Sequence, residues 1–338
     1  MKAQTLARMA MLLGLAAALN LYSCKKDVSS GNTSGSSDSV SVTADDQSQV
    51  SDESEAIDDD VNTVLNGQSD FSGDNSQSLS EAGGVAVNSV ETNGAGAGKF
   101  VIAGLICDGT VTYDTANGQR IITIVYDNSS SCNGKRVRTG TVVITMPYGK
   151  KWKDAGTAVT VDIQQLKITR LRDNKSITID GQRIFTNVSG GLLKDLATLG
   201  SITHTVASDN MSVTFNNGKQ RTWHIAKQRL YTYNNGIVLT TTGTYSDGTD
   251  TQIAEWGTNR FGVDFKSIIS EPKIFRQDCD FRLTGGQNTV KTVAGTTQIT
   301  YGLDQNGNPT GCPGNGNYYM KIVWNGANGG TYTIILPY

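Results

Sequence analysis

Residues 159–163 read Val-Thr-Val-Asp-Ile, with apolar side chains at every second position and polar side chains between them. The same alternation recurs at 177–180 (Ile-Thr-Ile-Asp) and at 212–215 (Ser-Val-Thr-Phe). Successive side chains of a β-strand point to opposite faces, so this period of two indicates strands that are buried on one face. The β-branched and aromatic residues that dominate these stretches also favour the pleated surface of a sheet.

Asn-Gly and Asp-Gly pairs separate many of the alternating stretches. Asn and Gly accept the positive φ of tight hairpin turns, so such pairs between two alternating runs predict hairpins. From Lys99 onward, the Asn-Gly pairs begin at Asn117, Asn133, Asn217, Asn235, Asn306, Asn315, Asn325 and Asn328, and the Asp-Gly pairs at Asp108, Asp180 and Asp247. Roughly fifteen or more short strands follow. We predict an all-β, antiparallel domain over 99–338, as a meander, a sandwich or two sheets, with one helical turn at 192–199.

Length and composition set the outer limits of the interpretation. The chain has 338 residues and a formal net charge of −2, which fits one large or two small domains at about 100–200 residues each. With 38 glycines but only 5 prolines, it belongs to neither the collagen-like nor the Pro-rich disordered class. Its 2 histidines leave little room for His-based metal sites or acid–base catalysis.

The first residues have the organisation of a secretory signal. Two basic residues, Lys2 and Arg8, precede an uncharged and mostly apolar run over 9–21. That run is shorter than the ~20 residues of a membrane-spanning helix and suits a signal peptide. Ser23-Cys24 resembles the lipobox of bacterial lipoproteins, although Tyr22 stands where a small residue is usual. We predict a signal peptide over 1–23 and lipidation of Cys24; the alternative is an ordinary signal peptide with a chance cysteine.

Residues 24–98 differ from everything that follows. Positions 25–98 hold 14 acidic and 2 basic residues in a background of Ser, Asn and Gly, a composition that cannot offset chain entropy by burial. We therefore predict an acidic, mostly disordered tether. Within it, Val50, Ile57, Val61 and Val64 have helical spacing, which predicts an amphipathic helix over 44–66.

The net charge of −2 conceals a strong asymmetry between these parts. The tether carries −12, whereas residues 99–338 hold 25 basic and 17 acidic residues. Two interpretations follow. The acidic segment docks on its own basic domain, within a screening length of about 8 Å at physiological salt; or it is held apart while the basic domain faces anionic envelope polymers. The alternative to both is two solvated surfaces that never meet.

Four cysteines beyond Cys24 mark an internal repeat. In each half, a Cys-Asp pair is followed by a hairpin whose second strand ends in Asp, then by a Gly-rich loop with the second cysteine, and then by another strand. An even number of cysteines in an exported chain indicates disulfides. We predict local bridges Cys107–Cys132 and Cys279–Cys312, each worth ~3–4 kcal/mol in the chain-entropy model. Because the cysteines do not occur as C-x-x-C pairs, we expect no metal site.

The residues around the first repeat also carry a family resemblance. The run 118–124 (Gly-Gln-Arg-Ile-Ile-Thr-Ile), Cys132 and 140–144 (Gly-Thr-Val-Val-Ile) resemble a group of uncharacterised Bacteroidota lipoproteins, as do the second cysteine repeat and 331–336. Thr141 stands where that group usually has Lys. Lys25-Lys26-Asp27 resembles the charged run that follows the lipid cysteine in Bacteroidota lipoproteins, where it often accompanies export to the cell surface. The resemblance implies a surface lipoprotein with a β fold, and it implies no activity.

Few residues in the chain point to chemistry. His204 shares a strand face with Ile202 and Val206, which predicts a core histidine, whereas His224 lies on the opposite parity from Trp223 and is predicted at the surface. The cluster Asp58-Asp59-Asp60 lies in the predicted tether, where a glycosidase-type carboxylate pair is not expected. Aromatic residues offer stacking platforms for sugars or ordinary strand positions; they are Trp152, Trp223, Trp256, Trp324, Tyr318 and Tyr319.

Two hypotheses follow for function. The first is an outer-membrane, surface-exposed lipoprotein with a non-enzymatic structural or binding role, attached to the membrane by its lipid anchor and facing a glycan or an anionic envelope polymer. The second is a hydrolase of glycan or peptide polymers whose catalytic residues are assembled across strands. We expect no catalytic residues, no cofactor and no nucleic-acid partner, the last because of the exported location.

Overall fold

The computed structural model describes residues 34–74, 89–90, 100–102, 106–128, 136–314 and 316–338. The predicted signal peptide, the lipidation site at Cys24 and the second cysteine of the first repeat, Cys132, lie outside these ranges. Within the described ranges, none of the helices is both long and apolar enough to cross a membrane.

The described residues 89–337 contain 16 strands, all in one sheet. They are β1 (Ser89–Val90), β2 (Phe100–Ile102), β3 (Gly109–Ala116), β4 (Gln119–Asp127), β5 (Arg136–Pro147), β6 (Thr157–Arg170), β7 (Lys175–Asn187), β8 (Ser201–Phe215), β9 (Gln220–Tyr233), β10 (Ile237–Gly243), β11 (Ile253–Thr258), β12 (Asp264–Arg276), β13 (Arg282–Thr292), β14 (Gly295–Leu303), β15 (Tyr319–Gly326) and β16 (Thr331–Pro337).

Each strand pairs antiparallel with its neighbour in the chain, apart from a local exchange around β11. β10 pairs with both β9 and β12, while the short β11 lies off this path and pairs with β9 and β12 beside it. The predicted all-β antiparallel domain is confirmed, and of the three arrangements that the alternation left open the chain adopts a single meander. The expected turn at 192–199 is also present, as a 3₁₀ turn over Leu193–Asp195 followed by α3 (Leu196–Leu199).

Two helices precede the sheet: α1 (Ser34–Gly67) and the single turn α2 (Ser69–Ser72). At 1.5 Å per residue, α1 is about 50 Å long, comparable to the longest strands. It includes the whole of the predicted helix over 44–66. All four apolar positions of the helical pattern are buried, at Val50, Ile57, Val61 and Val64.

The sheet bends around α1, which therefore lies in the interior of the domain. Its side chains or backbone contact strands as far apart as β3, through Tyr113, and β12, through Lys273. The second half of α1 packs in an apolar cluster with β3–β9, while Ala44 joins a second cluster formed mainly by β8–β15. The helix thus has a buried partner on both sides of its axis.

Residues 34–67 and 69–72 are helical, and most side chains of 44–65 are buried against the sheet, where composition predicted a mostly disordered tether. The composition of the segment does not show that its acidic side chains have basic partners in the sheet. Inward-facing cations on the strands neutralise them, as described below. The remainder of the predicted tether, apart from β1, lies outside the described residues.

β-Bulges provide the bending of the sheet. Register shifts interrupt the pairing of β5 with β6, β6 with β7, β7 with β8 and β8 with β9. A bulge adds an unpaired residue, which bends the strand and increases its twist. At the first of them Gly140 has φ 130°, and a Cβ at this position would lie 2.5 Å from the carbonyl oxygen of Gln165. Only glycine permits this approach between the two backbones.

Candidate functional site

Acidic side chains of α1 meet basic side chains of the strands one by one. The predicted cluster Asp58-Asp59-Asp60 is divided among three arginines of three different strands. Asp58 lies 2.9 Å from Arg183, Asp59 2.5 Å from Arg229 and Asp60 2.6 Å from Arg138; further along the helix, Asp45 pairs with Arg170 and Lys175, Asp46 with Arg260 and Glu53 with Arg136. The interpretation that the acidic segment docks on its own basic domain is confirmed over the described residues.

A second deeply buried ionic group joins α1 to β9 and β11. Lys227 Nζ lies 2.8 Å from Glu255 and 3.3 Å from Glu55, and all three side chains are at most 4% exposed. Arg221 contacts Glu255 from the other side at 3.2 Å. Burial opposes ionisation of Glu255, but the two cations outweigh it and lower the pKa of this carboxyl to about 2. Glu255 therefore stays ionised in the interior.

Other carboxyls of α1 are less well compensated. Burial raises the pKa of Asp46 to about 6, although Arg260 opposes the shift. Burial also raises the pKa of Asp52 to about 6, against the attraction of Lys273. Burial likewise raises the pKa of Asp58, with Arg183 acting in the opposite direction. A raised carboxyl pKa means that the folded state favours the neutral acid, so these groups add less stability at pH 7 than at pH 4.

His204 lies in the core, as its parity predicted, and it is 1% exposed. Its ring forms edge contacts with Trp152, Phe185 and Tyr231 at centroid distances of 5.0–5.3 Å. Burial, reinforced by the positive charge of Arg229, lowers the pKa of this imidazole to about 3. His204 is therefore neutral throughout the physiological range and acts as a packing residue.

The aromatic residues divide between core and surface. Trp152 and Trp223 are core residues, while Trp256 and Trp324 are half-buried. Tyr318, which precedes β15, is buried, and Tyr319, the first residue of β15, is half-buried.

His224 lies on the outer face of β9, as its parity predicted, and forms a ring stack with residues of the neighbouring β11 region. Its ring is parallel to that of Trp256, with centroids 5.3 Å apart. Tyr245 covers the indole from another side at 4.3 Å, and it is 40% exposed. Next to this ring stack, Lys266 and Lys291 pair with Asp247 and Asp250, so the charges beside it are balanced.

A polar groove of about 440 Å³ crosses the same outer face over β6–β9. Its lining consists of two amides, three hydroxyls and one carboxylate, contributed by Gln165, Thr178, Asp180, Ser212, Thr214 and Gln220. Gln165 is the bulged residue opposite Gly140, and it has φ 49°. Asp180 holds it there, because Oδ1 accepts hydrogen bonds from the backbone N (2.7 Å) and from Nε2 (2.8 Å) of Gln165. Sequence reasoning missed the groove, since its residues come from four strands with no motif in common.

The predicted bridge Cys279–Cys312 is present, with a Cα–Cα distance of 5.2 Å. Cys132 lies outside the described residues, so the bridge Cys107–Cys132 stays a prediction. Within the described part of the chain, three potential metal ligands cluster only at Asp278, Cys279 and Cys312. A disulfide removes the thiolates that a metal would bind, so this cluster is not a metal centre.

Comparison with known proteins gives no relative from which a role can be transferred. No family model, no curated protein and no solved structure matches the chain.

Proposed function

We propose that this protein is an outer-membrane lipoprotein, anchored through acyl chains on Cys24 and exposed at the cell surface, whose β domain has a non-enzymatic binding role. The anchor rests on the sequence: the short apolar run over 9–21 and the Ser23-Cys24 pair that follows it. The basic run Lys25-Lys26 supports surface exposure through its resemblance to exported lipoproteins.

The binding role rests on one observation, the contrast between the interior and the outer face. Carboxylates that would serve a hydrolase, such as Asp58 and Glu255, are buried in ion pairs with cations of the sheet. The groove on the outer face instead presents mainly hydroxyls and amides with a single carboxylate, Asp180, and a ring stack lies beside it; such a lining suits hydrogen bonding and stacking with a ligand and holds no pair of carboxylates. This arrangement favours a surface that holds a partner over one that cleaves it.

The charge distribution narrows the class of partner. Much of the basic surplus of the β domain faces inward and is neutralised by α1, as in the pairs formed by Arg183, Lys227 and Arg229. These cations are not available to an anionic envelope polymer at the surface. The surplus that first suggested such a polymer is therefore largely an internal feature, and a glycan partner becomes the better proposal.

The anchor is tested by comparing the wild type with Cys24→Ala in cells grown with a radiolabelled fatty acid. We expect label and membrane association in the wild type and neither in the variant. A matched control, Lys25→Ala/Lys26→Ala, keeps the cysteine, and we expect it to remain in the membrane while surface labelling of whole cells falls. Retention of Cys24→Ala in the membrane fraction would refute the anchor.

The binding role is tested separately with a soluble form that begins after Cys24. It is incubated with a panel of glycan and peptide polymers, and released products are quantified. We expect no product above a heat-denatured control. Robust turnover of any polymer would instead support the hydrolase alternative.

A further inference from the structure

The groove and the ring stack are two ends of one strip on the outer face. Asp180 of β7 stands opposite Ser212 of β8, which stands opposite Thr222 of β9. Thr222 in turn hydrogen-bonds Thr258 of β11, with 2.9 Å between the two hydroxyl oxygens. His224, two residues further along β9, begins the ring stack. At about 4.8 Å per strand, the strip from β6 to β11 is about 19 Å wide, enough for a short oligosaccharide.

The backbone positions these groups firmly. Gly257, next to the indole, has φ 146°, and a Cβ there would lie 2.3 Å from the carbonyl oxygen of Thr222. This close approach places the backbone of β11 directly beside that of β9 at Thr222. At the opposite end, Asp180 fixes the bulged Gln165 through two hydrogen bonds. Contacts within the protein thus hold both ends of the strip in place, which lowers the entropic cost of binding.

The lining chemistry matches a neutral, polyhydroxylated molecule. Six polar side chains supply both donors and acceptors, and among them there is one carboxylate and no cation. The ring stack adds an apolar surface, because Tyr245 contacts Trp256 with one face and remains 40% exposed. A pyranose ring has a face of C–H groups that packs on an aromatic ring and an edge of hydroxyls that hydrogen-bond to amides and carboxylates.

We propose that this strip, from Gln165 and Asp180 to His224, Trp256 and Tyr245, binds a neutral oligosaccharide chain. The inference deepens the binding role proposed above and depends on it. The sugar at one end packs on Tyr245, and the following units place their hydroxyls along Thr222 and into the groove. An anionic polysaccharide is disfavoured, since Asp180 would repel it and the two lysines beside the stack are already paired.

Isothermal titration calorimetry of the soluble form against hexasaccharides tests this proposal. The neutral probes are β-1,4-glucan, β-1,3-glucan, α-1,4-glucan, mannan and xylan hexasaccharides; the anionic probe is a hexamer of galacturonic acid. We expect at least one neutral probe to bind. Tyr245→Ala and Asp180→Asn should each weaken that binding at least tenfold. Tyr233→Ala, which removes another exposed tyrosine from the far end of β9, should leave the Kd unchanged.

Three results would overturn the proposal: no binding of any neutral probe, binding of the anionic probe alone, or equal affinity in wild type and Tyr245→Ala. A circular-dichroism melting curve for each variant establishes that it is folded. Failure here, with the Cys24-dependent surface exposure intact, would reject the saccharide and leave the lipoprotein proposal standing. Binding by a protein that Cys24 does not anchor would reject the lipoprotein proposal and keep the saccharide.

Discussion

Both faces of β9 carry polar residues, but those residues have different roles on the two faces. Inward, Arg221, Lys227 and Arg229 are at most 3% exposed and pair with carboxylates of α1 and β11. Outward, Thr222 and His224 belong to a strip that faces solvent and contacts β11. Polarity alone therefore does not identify a functional surface in this domain. Parity along the strand decides whether a polar residue serves folding or is available to a ligand.

The largest effect is expected on the inner face. Glu255→Gln removes the charge that holds Lys227 and Arg221, and leaving such cations under-compensated in the interior costs about 3–5 kcal/mol of unfolding free energy. Urea denaturation at pH 7 measures the loss. Asp278→Asn provides the control, because it breaks an ion pair with Arg276 in which both side chains are about half exposed, and it should leave the midpoint unchanged. A Glu255→Gln protein as stable as the wild type would contradict the assignment of a charged core.

A second prediction concerns the pH dependence of stability that the buried His204 causes. The folded-state pKa of His204 is about 3, below its ordinary value of 6.5, so protons bind the unfolded state more tightly. Its contribution to stability is present above pH 6.5 and is lost as pH falls towards 3. Relative to His204→Phe, which cannot titrate, the wild type should lose about 2 kcal/mol between pH 7 and pH 5.

The carboxyls of α1 with raised pKa values contribute a pH dependence of stability opposite in sign to that of His204. The difference between the wild type and His204→Phe removes this contribution, because both proteins contain it. Asp46 and Asp52 have raised pKa values in both proteins, so their effect on the pH profile is common to the pair. Parallel profiles for wild type and His204→Phe would mean that the imidazole is accessible to protons in the folded state.

A third prediction concerns the bulge between β5 and β6, where Gly140 faces Gln165. Gly140→Ala introduces a Cβ 2.5 Å from the carbonyl oxygen of Gln165, and we expect a loss of about 1–3 kcal/mol with displacement of the bulge. Gly149→Ala shares the positive φ (87°) but meets nothing within 4 Å, so it isolates the backbone term. Thermal melting of both variants gives the difference. Equal losses would show that the backbones of β5 and β6 are not in close contact here.

The smallest effect on stability is expected from the ring stack. Tyr245→Ala removes one exposed aromatic contact, worth about 0.5–1.5 kcal/mol. The variant should therefore fold normally while losing saccharide affinity. Urea denaturation beside Tyr233→Ala measures the stability term, and a loss as large as that of Glu255→Gln would mean that the outer stack belongs to the core.

Much of the fold follows from local patterns. Alternation placed Val159, Val161 and Ile163 on a buried face, and helical spacing identified the buried positions of α1. The position of α1 inside the domain did not follow, because composition treats Glu55 and Asp58 as solvated. A signal was nevertheless present: Lys227 and Arg229 share the parity of Trp223, Ile225 and Tyr231, so cations stand at core positions of a strand. Cations in such places require buried anions.

The outer strip was less accessible to sequence reasoning. Trp256 and His224 were identified separately, as an aromatic residue and as a surface histidine. Their stacking depends on the pairing of β11 with β9, and more than thirty residues separate the two in the sequence. The groove depends further on bulges at Gln165 and before Met211. No sequence motif marks register shifts of one or two residues. These shifts nevertheless determine which side chains lie together in the groove.

The acidic segment 44–66 forms the charged interior of the β domain. Hydrogen exchange of the mature protein at pH 7, followed by mass spectrometry, tests this arrangement most directly. We predict that amides of 44–66 exchange as slowly as those of β9, because α1 opens only when the sheet opens around it. Exchange of 44–66 at the rate of an unstructured chain, with β9 still protected, would contradict a packed α1. It would support a disordered tether instead.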